Sequence, residues 1–117
     1  VLLDAPCTGL GTLVRRPEVR YVRKPADIDA AAALQADLLA AALDLVRPGG
    51  RLVYAVCSFV PEEGDRVVER VLAARPDFTR EPVPLAGPFV GEDGALRTLP
   101  WRHGMDGFVA VRLRRAG

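Results

Sequence analysis

The sequence predicts an α/β domain whose sheet is mostly parallel and carries an antiparallel strand at its end. Two apolar runs, Val1-Leu2-Leu3 and Arg51-Leu52-Val53-Tyr54-Ala55-Val56-Cys57, read as strands, and each is followed by a loop and a helical segment. Crossovers of that length join parallel strands. Two short strands, close together in sequence, then end the chain, giving the order β-α-β-α-β-β.

Each element has its own reason. Val1-Leu2-Leu3 is a buried strand that ends at Asp4-Ala5-Pro6-Cys7. A loop with Gly9 and Gly11 follows, then an arginine-rich stretch from Arg15 to Lys24. After Pro25, Asp27 or Asp29 is positioned to cap a helix that runs to about Val46. Its apolar residues Ile28, Ala31, Ala32, Leu38, Leu39, Ala42, Leu45 and Val46 recur at helical spacing. Pro48-Gly49-Gly50 stops it. The second strand is nearly all apolar, which predicts a central position covered on both faces. Pro61, with Glu62, Glu63 and Asp65 near the positive end of the dipole, opens a second helix that ends near Arg75-Pro76. Residues 77–93, rich in Pro and Gly, are expected to wander over the surface. Strands at 95–99 and 108–113 close the chain.

Composition narrows the function. The 117 residues suffice for one domain, and 50% of them are hydrophobic, enough for a real core. Sixteen basic against 15 acidic residues give a net charge of +1, so only a local cluster points to nucleic acid. No apolar run approaches a membrane span. Two cysteines are too few for a disulfide framework, which predicts a reducing, cytoplasmic setting. His103 is the only histidine and lacks metal-ligand neighbours, so no metal is expected. The chain opens on Val1, directly in a strand, as expected of a piece of a longer polypeptide.

Ligands of doubly wound sheets sit at the carboxyl ends of the strands. Asp4-Ala5-Pro6-Cys7 and Cys57-Ser58 both fall at such ends, so neighbouring strands would turn two cysteines 50 residues apart onto one crevice. A cysteine at a strand end before a helix is placed to act as a thiolate nucleophile. A free cysteine is equally at home as a small buried hydrophobe, and spacing alone leaves both readings open. Asp4, directly after three apolar residues, needs a partner or a function. Pro6 stiffens the loop, and Gly9 and Gly11 let backbone approach closely.

These residues carry a resemblance. Asp4-Ala5-Pro6-Cys7-Thr8-Gly9-Leu10-Gly11 resembles the first signature of RNA 5-methylcytosine methyltransferases of the Sun/Fmu type, and Arg51 to Ser58 resembles the second. Pro61-Glu62-Glu63-Gly64-Asp65 is similar to the family's acidic element, and Gly104-Met105-Asp106-Gly107-Phe108-Val109 to its terminal one. The match keeps the motif order over essentially the whole chain. It implies the C-terminal part of a Rossmann-like, S-adenosylmethionine-dependent methyltransferase sheet. It also implies that Cys57 attacks C6 of a cytosine in RNA and that Cys7 promotes product release. Asp4 would then lie beside the methyl donor and the cytosine, with Pro6 in the same substrate loop. Small-subunit ribosomal RNA is the commonest bacterial substrate of such enzymes, and transfer RNA is the other.

Departures from the pattern are few. Thr8 stands for the usual Ser, Val56 for a Thr, and Val109 for a Phe; none of these removes a catalytic group. No glycine-rich strand-to-helix loop that could cradle the cofactor is present. The 117 residues are therefore expected to hold little S-adenosylmethionine alone. Arg15, Arg16, Arg20, Arg23 and Lys24 lie within ten residues, and Arg15 and Arg16 are expected on RNA phosphates, beside the cytosine loop. Tyr21 and Trp101 could stack on bases, although local packing is the expectation. Two rival readings remain: a DNA cytosine-C5 enzyme using Cys7, which leaves Cys57 idle, and a non-catalytic RNA-binding scaffold, against which both intact cysteines and Asp4 argue. A reversible Cys7–Cys57 disulfide is a further expectation of a shared crevice.

Overall fold

The structure is a computed structural model that describes residues 1–85 and 87–117. Its sheet is ordered β1 (Leu2–Asp4), β2 (Arg51–Val56), β5 (Phe108–Arg115), β3 (Phe78–Glu81), and β4 (Leu96–Thr98) also pairs with β5. β1 and β2 are parallel, and the three ladders made by β5 are antiparallel. Hence β1 to β4 all run one way and β5 alone is reversed, which is the expected terminal antiparallel strand. β3 lies along the C-terminal half of one edge of β5 and β4 along its N-terminal half.

Alternation explains the core. Leu52, Tyr54 and Val56 of β2 oppose Leu113, Val111 and Val109 of β5, and all six are buried. Helix α2 (Pro25–Asp44) contributes Ala36, Leu39, Ala42 and Leu43 to the same core, and α3 (Asp65–Leu72) contributes Val67, Val68 and Val71. The other face of β2 is more open than its composition predicts. Arg51 is exposed and Val53 half-buried there, opposite Arg114 and Arg112. β2 is central as expected, yet it is fully covered on one face only.

Three boundaries differ from expectation. Pro25 is the first residue of α2, so the cap falls on Lys24, whose backbone N–H donates to the Asp27 carboxylate at 2.7 Å. Asp27 thus closes the first turn from inside it. The second helix does not start at Pro61: a 3₁₀ turn covers Pro61–Glu63, and α3 begins at Asp65. Within 77–93, β3 is a true strand, hidden in the sequence because Thr79, Arg80 and Glu81 are polar. Their polarity suits a strand whose far edge is open. Short helices α1 (Val19–Val22) and α4 (Pro100–His103) complete the fold. Among the described residues no helix is long and apolar enough to cross a membrane.

Candidate active site

Register brings the two signature loops together. In the parallel β1–β2 pair Asp4 stands opposite Ala55. The pairing continues past the strands, with Ala5 N–H donating to the Ala55 carbonyl at 2.9 Å and Gly11 N–H to that of Cys57 at 3.1 Å. Cys7 and Cys57 therefore leave adjacent strand ends, and their Sγ atoms lie 3.1 Å apart. Both cysteines are free and half-buried. They open on a crevice of about 500 Å³, also lined by Asp4, Pro6, Arg16 and Arg23, within the size range of small-molecule sites. The Asp4 carboxylate is exposed in it and has no hydrogen-bond or ion-pair partner among the described residues.

The two sulfurs are not equivalent. Burial, and then the hydrogen bond with Cys57, push the Cys7 thiol up to about 12. Cys7 is therefore held in its thiol form at neutral pH, 3.1 Å from Cys57 Sγ, and either sulfur can donate in that contact. A raised thiol pKa favours the folded state below the ordinary thiol range of about 8.5, and that contribution is lost as pH climbs toward the folded value. Iodoacetamide at pH 9 is expected to modify Cys7 at least about tenfold more slowly in the folded protein than in urea, because the thiolate is the reactive form. Equal rates in a peptide-resolved time course would contradict this assignment.

Sequence reasoning placed Glu63 on a helix dipole; the structure buries it completely. Its carboxylate accepts from the Thr8 backbone N–H at 2.8 Å, the Thr8 hydroxyl at 2.7 Å, the Gln35 side-chain amide at 3.2 Å and the Ser58 hydroxyl. Four neutral donors thus take the place of water around one carboxylate, which is what a buried charge requires. The backbone carbonyl of Glu63 accepts from Tyr54 on β2 at 2.7 Å, and beside this carboxylate burial pushes the phenol pKa up. Gln35 also donates to the Pro6 carbonyl at 2.9 Å. Neither the pairing of Glu62 with Glu63 nor the spacing to Ser58 distinguishes the buried acid from its half-exposed neighbour. The mid-helix Gln35, polar among alanines and leucines, was the available signal.

Glycine lets the terminal element close on both loops. Gly11 donates to Cys57 and its carbonyl accepts from Gly107 N–H at 2.6 Å, so three motifs meet backbone to backbone. A Cβ on Gly11 would stand 1.9 Å from the Gly107 carbonyl oxygen and 2.9 Å from that of Cys57. Neither Gly11 nor Gly107 has a positive φ, so the requirement is close approach and not an unusual backbone conformation.

The basic segment is divided. Arg16 lines the crevice, 3.3 Å from Glu18, and Arg23 donates to the Thr8 carbonyl at 2.8 Å from the same wall. Arg15 does not line it: its guanidinium donates to Asp106 at 2.8 Å, lowering that carboxyl below its usual range. Tyr21 does not pack locally as expected and is 83% exposed. Trp101 packs edge-on against Phe59 with ring centroids 5.2 Å apart, yet stays largely exposed. His103 Nδ1 accepts from Leu99 N–H at 2.9 Å, a capping role inside α4.

The sheet with one reversed strand, and the two thiols and a carboxylate at its strand ends, define an α/β domain with its candidate site at the carboxyl ends of β1 and β2. The profile of the 16S rRNA methyltransferase RsmB/F family matches residues 1–114, and the chain belongs to that family. The ribosomal RNA small subunit methyltransferase B of Thermus thermophilus is 46% identical over 98% of this chain and 29% of its own length. Among solved structures, PH0851 superposes with a TM-score of 0.88 at 38% identity, over 98% of this chain and 26% of that one. NSun6 from Pyrococcus horikoshii, solved with the S-adenosylmethionine analogue SFG, gives a TM-score of 0.83 at 32% identity, over 99% and 29%. The chain spans between 26% and 29% of the length of these proteins.

Proposed function

We propose that this chain is the nucleophile-bearing part of an S-adenosylmethionine-dependent enzyme that methylates C5 of cytosine in RNA, with ribosomal RNA of the small subunit as the substrate class. The observation that carries the reading is the 3.1 Å contact between two free thiols at adjacent strand ends. C5 and C6 of cytosine are adjacent ring atoms, and a reaction that adds a nucleophile at C6 and removes a proton at C5 needs two groups this close.

The residues divide the work as follows. Cys57 gives its thiol proton to solvent at the open crevice and adds to C6, and the C5–C6 π electrons move into the ring, making C5 an enamine carbon. Asp4, free in the crevice, shares a proton with N3 as charge develops there. S-adenosylmethionine supplies the electrophilic methyl group. Burial, the larger cause of the raised Cys7 pKa, persists when Cys57 is bonded to carbon, so Cys7 must give up its own proton, to solvent at the open crevice, before it can act as a base. As thiolate, Cys7 then takes the C5 proton, the double bond re-forms, and Cys57 leaves as thiolate. Asp4 fits a methyl-donor site, with Pro6 on the substrate side of the same loop, because the Asp4 carboxylate lines the crevice with no protein partner among the described residues.

Arg16 and Arg23 lie where RNA phosphates would flank the flipped base, with Arg15 held aside on Asp106. The test is nucleoside mass spectrometry of small-subunit RNA, hypomethylated and then incubated with the complete gene product and S-adenosylmethionine carrying a labelled methyl group. Label in 5-methylcytidine is expected. Label in N4-methylcytidine or a 2′-O-methyl nucleoside would overturn the reading.

A further inference from the structure

We propose that Glu63 is a positioning residue that sets the distance between the two thiols by gripping the residue after each of them. This rests on the two-thiol reading above and adds a control over it. Thr8 follows Cys7 and Ser58 follows Cys57, and the Glu63 carboxylate accepts hydrogen bonds from both, one oxygen bridging the two hydroxyls. On the other side of Cys7, Gln35 donates both to the Pro6 carbonyl and to Glu63. Cys7 is therefore held from its preceding and its following residue by one connected network, and Cys57 is held from its following residue by the same carboxylate.

The chemistry explains why an acid serves here. Two loops that arrive from different strands both present donors, and a carboxylate is the one side-chain group with only acceptors to offer. A neutral amide of the same shape would meet some of those donors with N–H groups. The backbone of Glu63 is itself anchored, through its carbonyl, to Tyr54 in the middle of β2. The grip is thus referred to the sheet and not to a surface loop. Sub-ångström drift of either loop would separate the sulfurs from adjacent ring carbons, and misplacement of about 1 Å costs on the order of a hundredfold in rate.

The experiment uses the complete gene product and compares Glu63→Gln, Thr8→Val, Thr8→Ser and Cys57→Ser, each scored for folding by circular dichroism. In the folded Glu63→Gln variant kcat is expected to fall about 10- to 100-fold, with KM for S-adenosylmethionine changed by less than about threefold. Thr8→Val should lose rate in the same way, and Thr8→Ser, which restores the hydroxyl, should recover most of it. A folded Glu63→Gln within about twofold of wild-type kcat overturns the proposal. So does Thr8→Ser impaired as far as Thr8→Val, and that pair decides the matter if Glu63→Gln does not fold. Cys57→Ser separates the two claims: if it keeps turnover, the two-thiol reading itself has failed, whatever Glu63 does.

Discussion

Gly11→Ala is expected to destabilise the domain by roughly 3 kcal/mol, the upper end of what overpacking costs, and to abolish methylation with it. The added Cβ meets backbone on two sides, the Gly107 carbonyl at 1.9 Å and the Cys57 carbonyl at 2.9 Å. A flexible side chain could swing away; these carbonyls are backbone of two other motifs, and Gly11 is hydrogen-bonded to Cys57 and to Gly107. Relief therefore requires parting the first signature loop from the terminal element or from the loop of Cys57. Gly107→Ala is similarly confined, with Gly11 Cα and a Phe59 ring carbon each 2.9 Å from the new atom. Gly104→Ala is the contrasting case. Its Cβ meets nothing within 4 Å, and only its φ of 65° opposes the change, which costs about 1–2 kcal/mol. Thermal unfolding of the three variants should rank them in that order of damage, with Gly104→Ala the mildest.

Cys57→Ser is expected to lower turnover by at least about three orders of magnitude while leaving the fold intact, because loss of a covalent nucleophile removes the whole pathway. Among the described residues the thiol has no hydrogen-bond partner except Cys7 Sγ, so a hydroxyl of similar size is accommodated. Cys7→Ser should also stop turnover, for a different reason. Addition at C6 still proceeds, whereas loss of the C5 proton and release of Cys57 do not. The two variants would then share an inactive phenotype in steady state and differ in what is bound to RNA. Single-turnover assays with labelled cofactor show the difference: methyl transfer without product release in Cys7→Ser, and no transfer in Cys57→Ser.

Much of this architecture was legible in the residues, for physical reasons. The apolar runs before Asp4 and through Val56 are both strands as expected, but only the second is buried: β1 lies at the sheet edge, with Val1 and Leu2 exposed and Leu3 half-buried. Helical periodicity after Pro25 fixed α2 to within a turn of its observed end. Once both strands were parallel neighbours, the meeting of Cys7 and Cys57 followed from register. What stayed hidden depended on contacts remote in sequence. β3 is polar because one of its edges is open, so its pattern gave no strand signal. The burial of Glu63 is created by donors contributed from Thr8, Gln35 and Ser58, which no local rule connects. The same holds for Gly11 and Gly107, which read as loop glycines until their backbones are seen in contact. Arg15, Arg16 and Arg23 looked alike as a charge run, and only the fold sends one to Asp106, one along the crevice wall and one to the Thr8 carbonyl.

The most direct test of the two-thiol account is to map covalent protein–RNA adducts by peptide mass spectrometry in Cys7→Ser and Cys57→Ser forms of the complete gene product, incubated with small-subunit RNA and S-adenosylmethionine. The account predicts a cytosine adduct on the Cys57 peptide that accumulates in Cys7→Ser and is missing from Cys57→Ser. An adduct carried by the Cys7 peptide, persisting when Cys57 is replaced, would contradict it and reverse the roles of the two sulfurs.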